Sequence, residues 1–277
     1  MPVMVTGAES RLGAGVVEQL RSTGGELRAY LDATVATDDD AARLRAEGCK
    51  VAVGELDDEG HLEAAFEQVH TVAHCWTGPL HDPDAQVEVA ATLGSALLGA
   101  GVRRLIWVGE LAHDVGNRYL AAHAEIHELF SSLPLETVML STAVRYGDGD
   151  DFTTRLRTGW LCSTPVDASA MHAPIHLDDV VRAVVVADRQ RGARRELHLE
   201  LALLGPERHT LAAFLDQLGA PPLDAPPPPG LDQPEEWLVD WLSRAASGLE
   251  IASDQGIAVA HGVRASASEP VGGDRMG

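Results

Sequence analysis

Short apolar runs alternate with amphipathic stretches along the first 140 residues of the chain. The runs at 2–6, 26–31, 49–53, 70–75, 103–108 and 135–140 are brief and largely apolar, which predicts buried strands. Between them, 12–23, 38–47, 59–68, 84–100 and 117–132 carry apolar residues at helical spacing, as Val16, Val17 and Leu20 do, or Leu93, Leu97 and Leu98. Repeats of this kind predict an α/β architecture, a doubly wound parallel sheet. Such sheets bind ligands outside the carboxyl ends of their strands, so the residues just after each strand are the first candidates for chemistry.

Beyond residue 140 the rhythm loosens. Residues 145–173 read as loop, 178–190 as a helix rich in Val and Ala, 195–203 as a strand and 210–219 as a short helix. The prolines of 221–234 predict a stiff extended connector, after which Trp237, Leu238, Trp241 and Leu242 form the apolar face of one more helix. This divides the chain into a core, 1–144 with 174–203, and a smaller C-terminal substrate-side region, 145–173 with 204–263. Residues 264–277, small and polar, are expected to be a flexible tail.

Composition narrows the function classes. The chain has 277 residues, 45% of them hydrophobic, with no apolar run long enough to span a bilayer, so no membrane partner is expected. A formal net charge of -21 opposes binding to a phosphate backbone and excludes nucleic acid as an expected partner. The chain opens on strand-like residues without a signal-peptide pattern, and Cys49, Cys75 and Cys162 have neither metal-ligand spacing nor a disulfide framework, so a reducing cytoplasmic setting is expected. Only Lys50 is a lysine among 21 basic residues, which removes a common catalytic group.

The turn after the first run carries the most specific pattern. Gly7 and Gly13 hold the outer positions of a G-x-x-G-x-x-G spacing that delivers a helix N-terminus to a pyrophosphate, but Ser10 stands at the middle position and Glu9 beside it. A carboxylate about 4 Å from a phosphate costs roughly 4 kcal/mol at an effective dielectric of about 20, so Glu9 weakens nucleotide binding if it points inward. Ser10 can donate to phosphate although it lacks glycine's freedom at positive φ, and the Arg11 guanidinium can offset part of the repulsion. The second run ends in Tyr30-Leu31-Asp32, where a carboxylate accepts from a ribose 2′-hydroxyl, which favours NAD. Arg11 or Arg28 keeps NADP open.

Five segments in order resemble the atypical and extended short-chain dehydrogenase/reductases, particularly their NmrA-like branch. They are Val5-Thr6-Gly7-Ala8, Gly54-Glu55-Leu56-Asp57-Asp58, Val102-Arg103-Arg104-Leu105-Ile106, Leu135-Glu136-Thr137-Val138-Met139-Leu140 and Pro174-Ile175-His176-Leu177-Asp178-Asp179-Val180. The resemblance implies a Rossmann-type fold and a cofactor, NAD or NADP, lined by Gly7, Ser10, Arg11, Leu12, Gly13 and Asp32. It also implies that Glu55 and Leu56 border the adenine, and that Cys75 and Trp76 border the ribose and nicotinamide side. The paired faces of the wider superfamily would fall on 84–100 and 117–132, leaving monomer or homodimer open.

The family's Ser-Tyr-Lys catalytic set is altered here. Tyr119-x-x-x-His123 stands at the Tyr-x-x-x-Lys position, and Glu110, in Trp107-Val108-Gly109-Glu110, replaces the serine. Tyr119 with a protonated His123 could serve as the acid pair, and Glu110 as a carboxylate acid or base. Ser141, Thr142, Arg145 and Tyr146 occupy the segment that lines the substrate side in extended members, and His113 is a further substrate-side candidate. His123 and His127 with Glu128 lack the H-E-x-x-H order, His70, His74 and His81 read as packing or solvent residues, and no G-x-S-x-G elbow occurs, so no metal or serine hydrolase chemistry is expected. The reading that follows is an NAD(P)(H)-dependent oxidoreductase acting on a small organic or aromatic carbonyl or alcohol. Two alternatives stay open: a non-redox cyclase, isomerase or dehydratase reusing the pocket, and a nucleotide-sensing regulatory protein.

Overall fold

A computed structural model describes residues 1–76, 78, 82–111, 116–190 and 198–244. His81, His113, residues 195–197 of the last expected strand and the expected tail at 264–277 lie outside the described residues.

The first half alternates strictly: β1 Val3–Thr6, α1 Arg11–Arg21, β2 Leu27–Asp32, α2 Asp38–Ala46, β3 Lys50–Gly54, α3 Glu59–Phe66, β4 Thr71–His74, α4 Pro83–Gly99, β5 Arg104–Glu110, α5 Arg118–Ser131 and β6 Glu136–Thr142. The second half adds β7 Arg145–Tyr146, α6 Asp151–Arg157, β8 Met171–His172, β9 Ile175–His176, α7 Leu177–Arg189, β10 His198–Leu203, β11 His209–Thr210, α8 Leu211–Leu218 and α9 Glu236–Arg244. Side-chain caps start the helices that flank the sheet. The Ser10 hydroxyl accepts from Gly13 N, Thr37 and Asp40 form a reciprocal capping box, and Asp82 precedes Pro83 in the first turn of α4.

Seven strands form one parallel sheet in the order β10-β6-β5-β4-β1-β2-β3. The strand order reverses between β1 and β4, and the crevice at that switch point is where the fold presents a ligand. One face buries Val5, Val16, Leu31, Val180 and Val184; the other buries Tyr30, Phe66, Leu93, Leu105 and Phe130. A third cluster joins α5 to the later elements through Tyr119, Val144, Trp160, Phe214 and Trp241. No helix among the described residues is long and apolar enough to cross a membrane.

Segment 145–173, expected as loop, instead contains β7, α6 and β8. Helix α6 is held by polar contacts that apolar periodicity does not register: Asp150 caps Thr153 N, and Arg155 pairs with Asp151 one turn away at 2.7 Å. Elsewhere the predicted elements match within two or three residues.

The glycine turn is locked by backbone on both sides. Gly7 has φ +72°, and a Cβ there would come 2.6 Å from the N and Cα of Trp76. A Cβ on Gly13 would come 2.1 Å from the Gly7 carbonyl oxygen. Gly7→Ala is therefore expected to cost roughly 2 kcal/mol in urea unfolding, part from the left-handed backbone and part from the contact. Gly24→Ala, at φ +67° with nothing within 4 Å, isolates the backbone part. Equal losses in the two variants would show that the Trp76 contact adds nothing.

Candidate active site

A cavity of about 1060 Å³ runs from the end of β2 to the end of β5. Glu9, Asp32, Glu55, Leu56 and Trp76 line one end, and Glu110, Tyr119 and Arg145 line the other. Of the remaining expected cofactor residues, Ser10, Arg11 and Leu12 also line it; Gly7, Gly13 and Cys75 shape the turn and the strand behind it. The Cys75 thiol is fully buried and pushed up to about 12 by that burial, and Cys49 and Cys162 are also buried and raised.

At the deep end three groups from three elements converge. Glu110, the last residue of β5, is 4% exposed; its Oε1 accepts from the Tyr119 hydroxyl at 3.3 Å and from the Arg145 guanidinium in a short ion pair. Thr142 lies opposite Glu110 in the β5–β6 register, so Arg145, just beyond β6, enters from the neighbouring strand. Burial raises the carboxyl of Glu110, and Arg145 pulls it back toward ionisation; Arg145 stays protonated because that carboxylate offsets its own burial. Burial, with the Glu110 charge beside it, holds the Tyr119 phenol well above 10, so the phenol is a hydrogen-bond donor at neutral pH. Glu110 Oε2 and Arg145 Nη1 are sealed and have no hydrogen-bond partner among the described residues. An acceptor and a donor left this way cost about 1–3 kcal/mol each.

His123 does not supply the expected cation. Its Nδ1 accepts from Glu110 N at 3.2 Å, its ring stacks on Trp107 at 5.9 Å, and burial followed by the Arg145 charge drives it down to about 3. It is a neutral imidazole that fixes the end of β5, and the positive charge beside Tyr119 comes from Arg145. The Tyr119 ring is covered by Trp237 at 4.7 Å and Trp241 at 5.4 Å. Asn117 ties that helix down by donating to Trp237 O at 2.7 Å and to Asp240 at 2.9 Å. Sequence reasoning placed Trp237 and Trp241 on a helix but not over the tyrosine; the signal was two indoles on one apolar face.

Among the described substrate-side residues, Ser141, Thr142, Arg145 and Tyr146, Arg145 alone reaches the cavity. Ser141 and Thr142 are buried in β6, where Thr142 Oγ1 donates to Gly109 O at 3.1 Å. Tyr146 turns toward His176 and Phe214, with ring centroids 5.2 and 5.5 Å away.

At the other end the chain fills its own crevice. Both Asp32 oxygens are taken: Oδ1 accepts from Thr34 N at 2.9 Å and from its hydroxyl at 2.8 Å, and Oδ2 accepts from Trp76 Nε1 at 3.0 Å. The Glu9 carboxylate accepts from Asp32 N at 3.4 Å, and burial raises its pKa to about 7. Ser10 needs no positive φ: at -70° it caps α1, accepting from Gly13 N at 3.0 Å and donating to Gly7 O at 2.7 Å. Arg11 turns away from the turn to Asp178 at 2.8 Å and Asp148 O at 3.1 Å.

Residues 2–144 match the model of the NmrA-like family, and the chain belongs to that family. No curated protein matches it. Solved structures share the fold over most of the chain. A UDP-glucose 4-epimerase of Thermus thermophilus in complex with NAD has a TM-score of 0.68 at 20% identity, covering 97% of this chain and 95% of that one. The dTDP-glucose 4,6-dehydratase DesIV of Streptomyces venezuelae, with NAD and TYD bound, has 0.62 at 20%, covering 80% and 82%. A UDP-glucose 4-epimerase of Thermotoga maritima with UDP-glucose has 0.62 at 16%, covering 91% and 100%. These likenesses show the fold, a Rossmann-type parallel sheet flanked by helices.

The residues at the crevice do not fit a dinucleotide as they stand. A ribose diol at Asp32 would have to displace the Trp76 indole, and a pyrophosphate near the turn would meet Glu9 with Arg11 engaged elsewhere.

Proposed function

We infer that this NmrA-like protein is an enzyme of proton-transfer chemistry, an isomerase or dehydratase acting on a small oxygen-bearing substrate. The observation that supports this most is the buried Glu110–Arg145 ion pair lining the cavity, in which Glu110 Oε2 and Arg145 Nη1 have no hydrogen-bond partner among the described residues. Once the pair turns toward the cavity that both residues line, the Arg145 guanidinium takes a substrate carbonyl and the Glu110 carboxylate faces its α C–H. The carboxylate takes the proton, the C–H electron pair becomes a C=C bond, and the carbonyl oxygen becomes an enolate held by the guanidinium. Return of the proton to another carbon isomerises the substrate; if a β-hydroxyl leaves, it takes the proton from Glu110 and departs as water. Tyr119 holds the carboxylate in place by donating to Oε1. Hydride transfer to a carbonyl is less well served, because the alkoxide it forms would lie beside a carboxylate where the family places a hydroxyl.

The test is deuterium exchange. In D2O, with no nicotinamide added, the protein is expected to exchange the α-hydrogens of a responsive compound in a panel of small β-hydroxy ketones, followed by NMR. Glu110→Gln is expected to slow that exchange at least a hundredfold. Exchange that persists in Glu110→Gln, or turnover that appears only with NAD(P)(H), would sink this reading. A nicotinamide-dependent oxidoreductase is the second reading, favoured by the continuity of one cavity from Asp32 to Tyr119. Micromolar binding of NADH or NADPH in a fluorescence titration would support it.

A further inference from the structure

Trp76 is held at its backbone and at both ends of its ring. A Cβ on Gly7 would come 2.6 Å from Trp76 N and Cα, so the left-handed turn fixes the chain just beyond β4. From there the indole crosses the end of β1 to reach β2, packs against the core face that holds Tyr30 and Phe66, and donates from Nε1 to Asp32 Oδ2 at 3.0 Å. Gly78 closes the far corner of the ring. A Cβ on that glycine would come 3.1 Å from Trp76 Cη2 and 2.6 Å from Gln86 Cγ, and its own φ is +67°. Asp32 is pinned as well, 4% exposed and with Oδ1 on the Thr34 N–H and hydroxyl. The indole therefore lies across the switch-point crevice and borders the cavity.

We propose that Trp76 closes the dinucleotide crevice from within and decides which ligands this chain takes. Its indole N–H occupies the carboxylate oxygen to which a ribose hydroxyl would donate, so nicotinamide dinucleotides are excluded, and removing the ring opens a nucleoside site. The exchange is uneven. A ribose hydroxyl at Asp32 Oδ2 replaces one N–H donor by one O–H donor and gains no hydrogen bond, while a free ligand gives up translational and rotational freedom that the tethered indole has already lost. Displacing the ring also strips its apolar face from the core it packs against. Glu9 does not produce this exclusion, because its carboxylate bears on phosphate whereas Trp76 bears on ribose. Trp76 belongs to the β2 end of the cavity, so its role does not depend on proton transfer at Glu110.

Adenosine is the probe, because it carries the ribose diol without the phosphates that would meet Glu9. By calorimetry Trp76→Ala is expected to bind adenosine roughly tenfold tighter than the wild type does, or better. The compound 2′,3′-dideoxyadenosine, which has no hydroxyl for Asp32, is expected to gain little. Trp76→Leu, too short to reach Asp32 but filling the space next to the backbone, is expected to give the same ranking, and melting temperatures check that both variants fold. The wild type needs no open variant to be read. Its Trp76 indole N–H signal, identified in 15N-labelled protein by its loss in Trp76→Phe, is expected to stay in place when adenosine or NADH is added. Equal adenosine affinities in the wild type and the variants, an equal gain for the dideoxy compound, binding of NADH by the wild type, or a Trp76 signal that moves with either ligand overturns the proposal.

Discussion

Arg145→Met is expected to destabilise the protein by about 3–5 kcal/mol, the cost of leaving a buried carboxylate without its counter-charge. Glu110 is 3% exposed at its side chain and Arg145 is 11% exposed, so neither is rescued by solvent in place. Without Arg145, Glu110 keeps only the Tyr119 hydroxyl as a side-chain donor among the described residues, and burial drives it further toward the protonated form. The sign of the pH dependence follows. The native state of the variant holds a proton that the unfolded chain has released above its ordinary carboxyl pKa, so the deficit shrinks toward pH 5 and grows toward pH 8. Adding Glu110→Gln removes the charge itself, and the double variant is expected to recover most of the loss. Urea unfolding of the wild type, both single variants and the double variant checks this. Losses that simply add would mean that the two groups do not depend on each other.

Glu9→Gln is expected to act the opposite way and stabilise the protein. The Glu9 carboxyl titrates near 7 in the native state against an unfolded reference of 4.5. Below pH 4.5 both states hold the proton and Glu9 costs nothing. Between 4.5 and 7 the unfolded chain gives up its proton first, and the stability contributed by the native protonated form drains away as pH rises through 7. A difference of 2.5 units corresponds to about 3 kcal/mol at pH 8, which glutamine avoids because it carries no charge. Melting temperatures should therefore separate by several degrees at pH 8 and converge at pH 4.5. A pH-independent gap, or none, would mean that the carboxylate is solvated in the native state.

The framework was readable from the sequence because a sheet buried on both faces leaves short apolar runs, and the helices between them repeat their apolar residues every turn. β1 through β6 and α1 through α5 are therefore found within a few residues of their expected places. The site was less readable, because its pairings join distant positions. Asp32 and Trp76 are 44 residues apart, and Glu110 and Arg145 are 35 apart. Only register brings them together: Thr142 opposite Glu110 puts Arg145 within reach, and Thr6 opposite His74 sets Trp76 beside the turn. His123 shows the complementary difficulty. Its spacing from Tyr119 is that of the family's lysine, yet its ring is turned to a backbone N–H, and spacing along a helix says nothing about how deeply an imidazole is buried. Glu9 stood in plain sight, but whether it points inward depends on Asp32 N, a main-chain donor in another strand.

Lys50, the chain's only lysine, opens β3 at the edge of the sheet, its ammonium 2.7 Å from Glu26 and its side chain 69% exposed. The strand runs away from it toward Gly54, so this amine lies at the pole opposite the cavity. Amine-directed coupling through Lys50 would therefore anchor the protein to a sensor surface or a dye with its cavity facing outward. A chain nearly devoid of lysine thus comes with a built-in orientation for immobilised binding measurements.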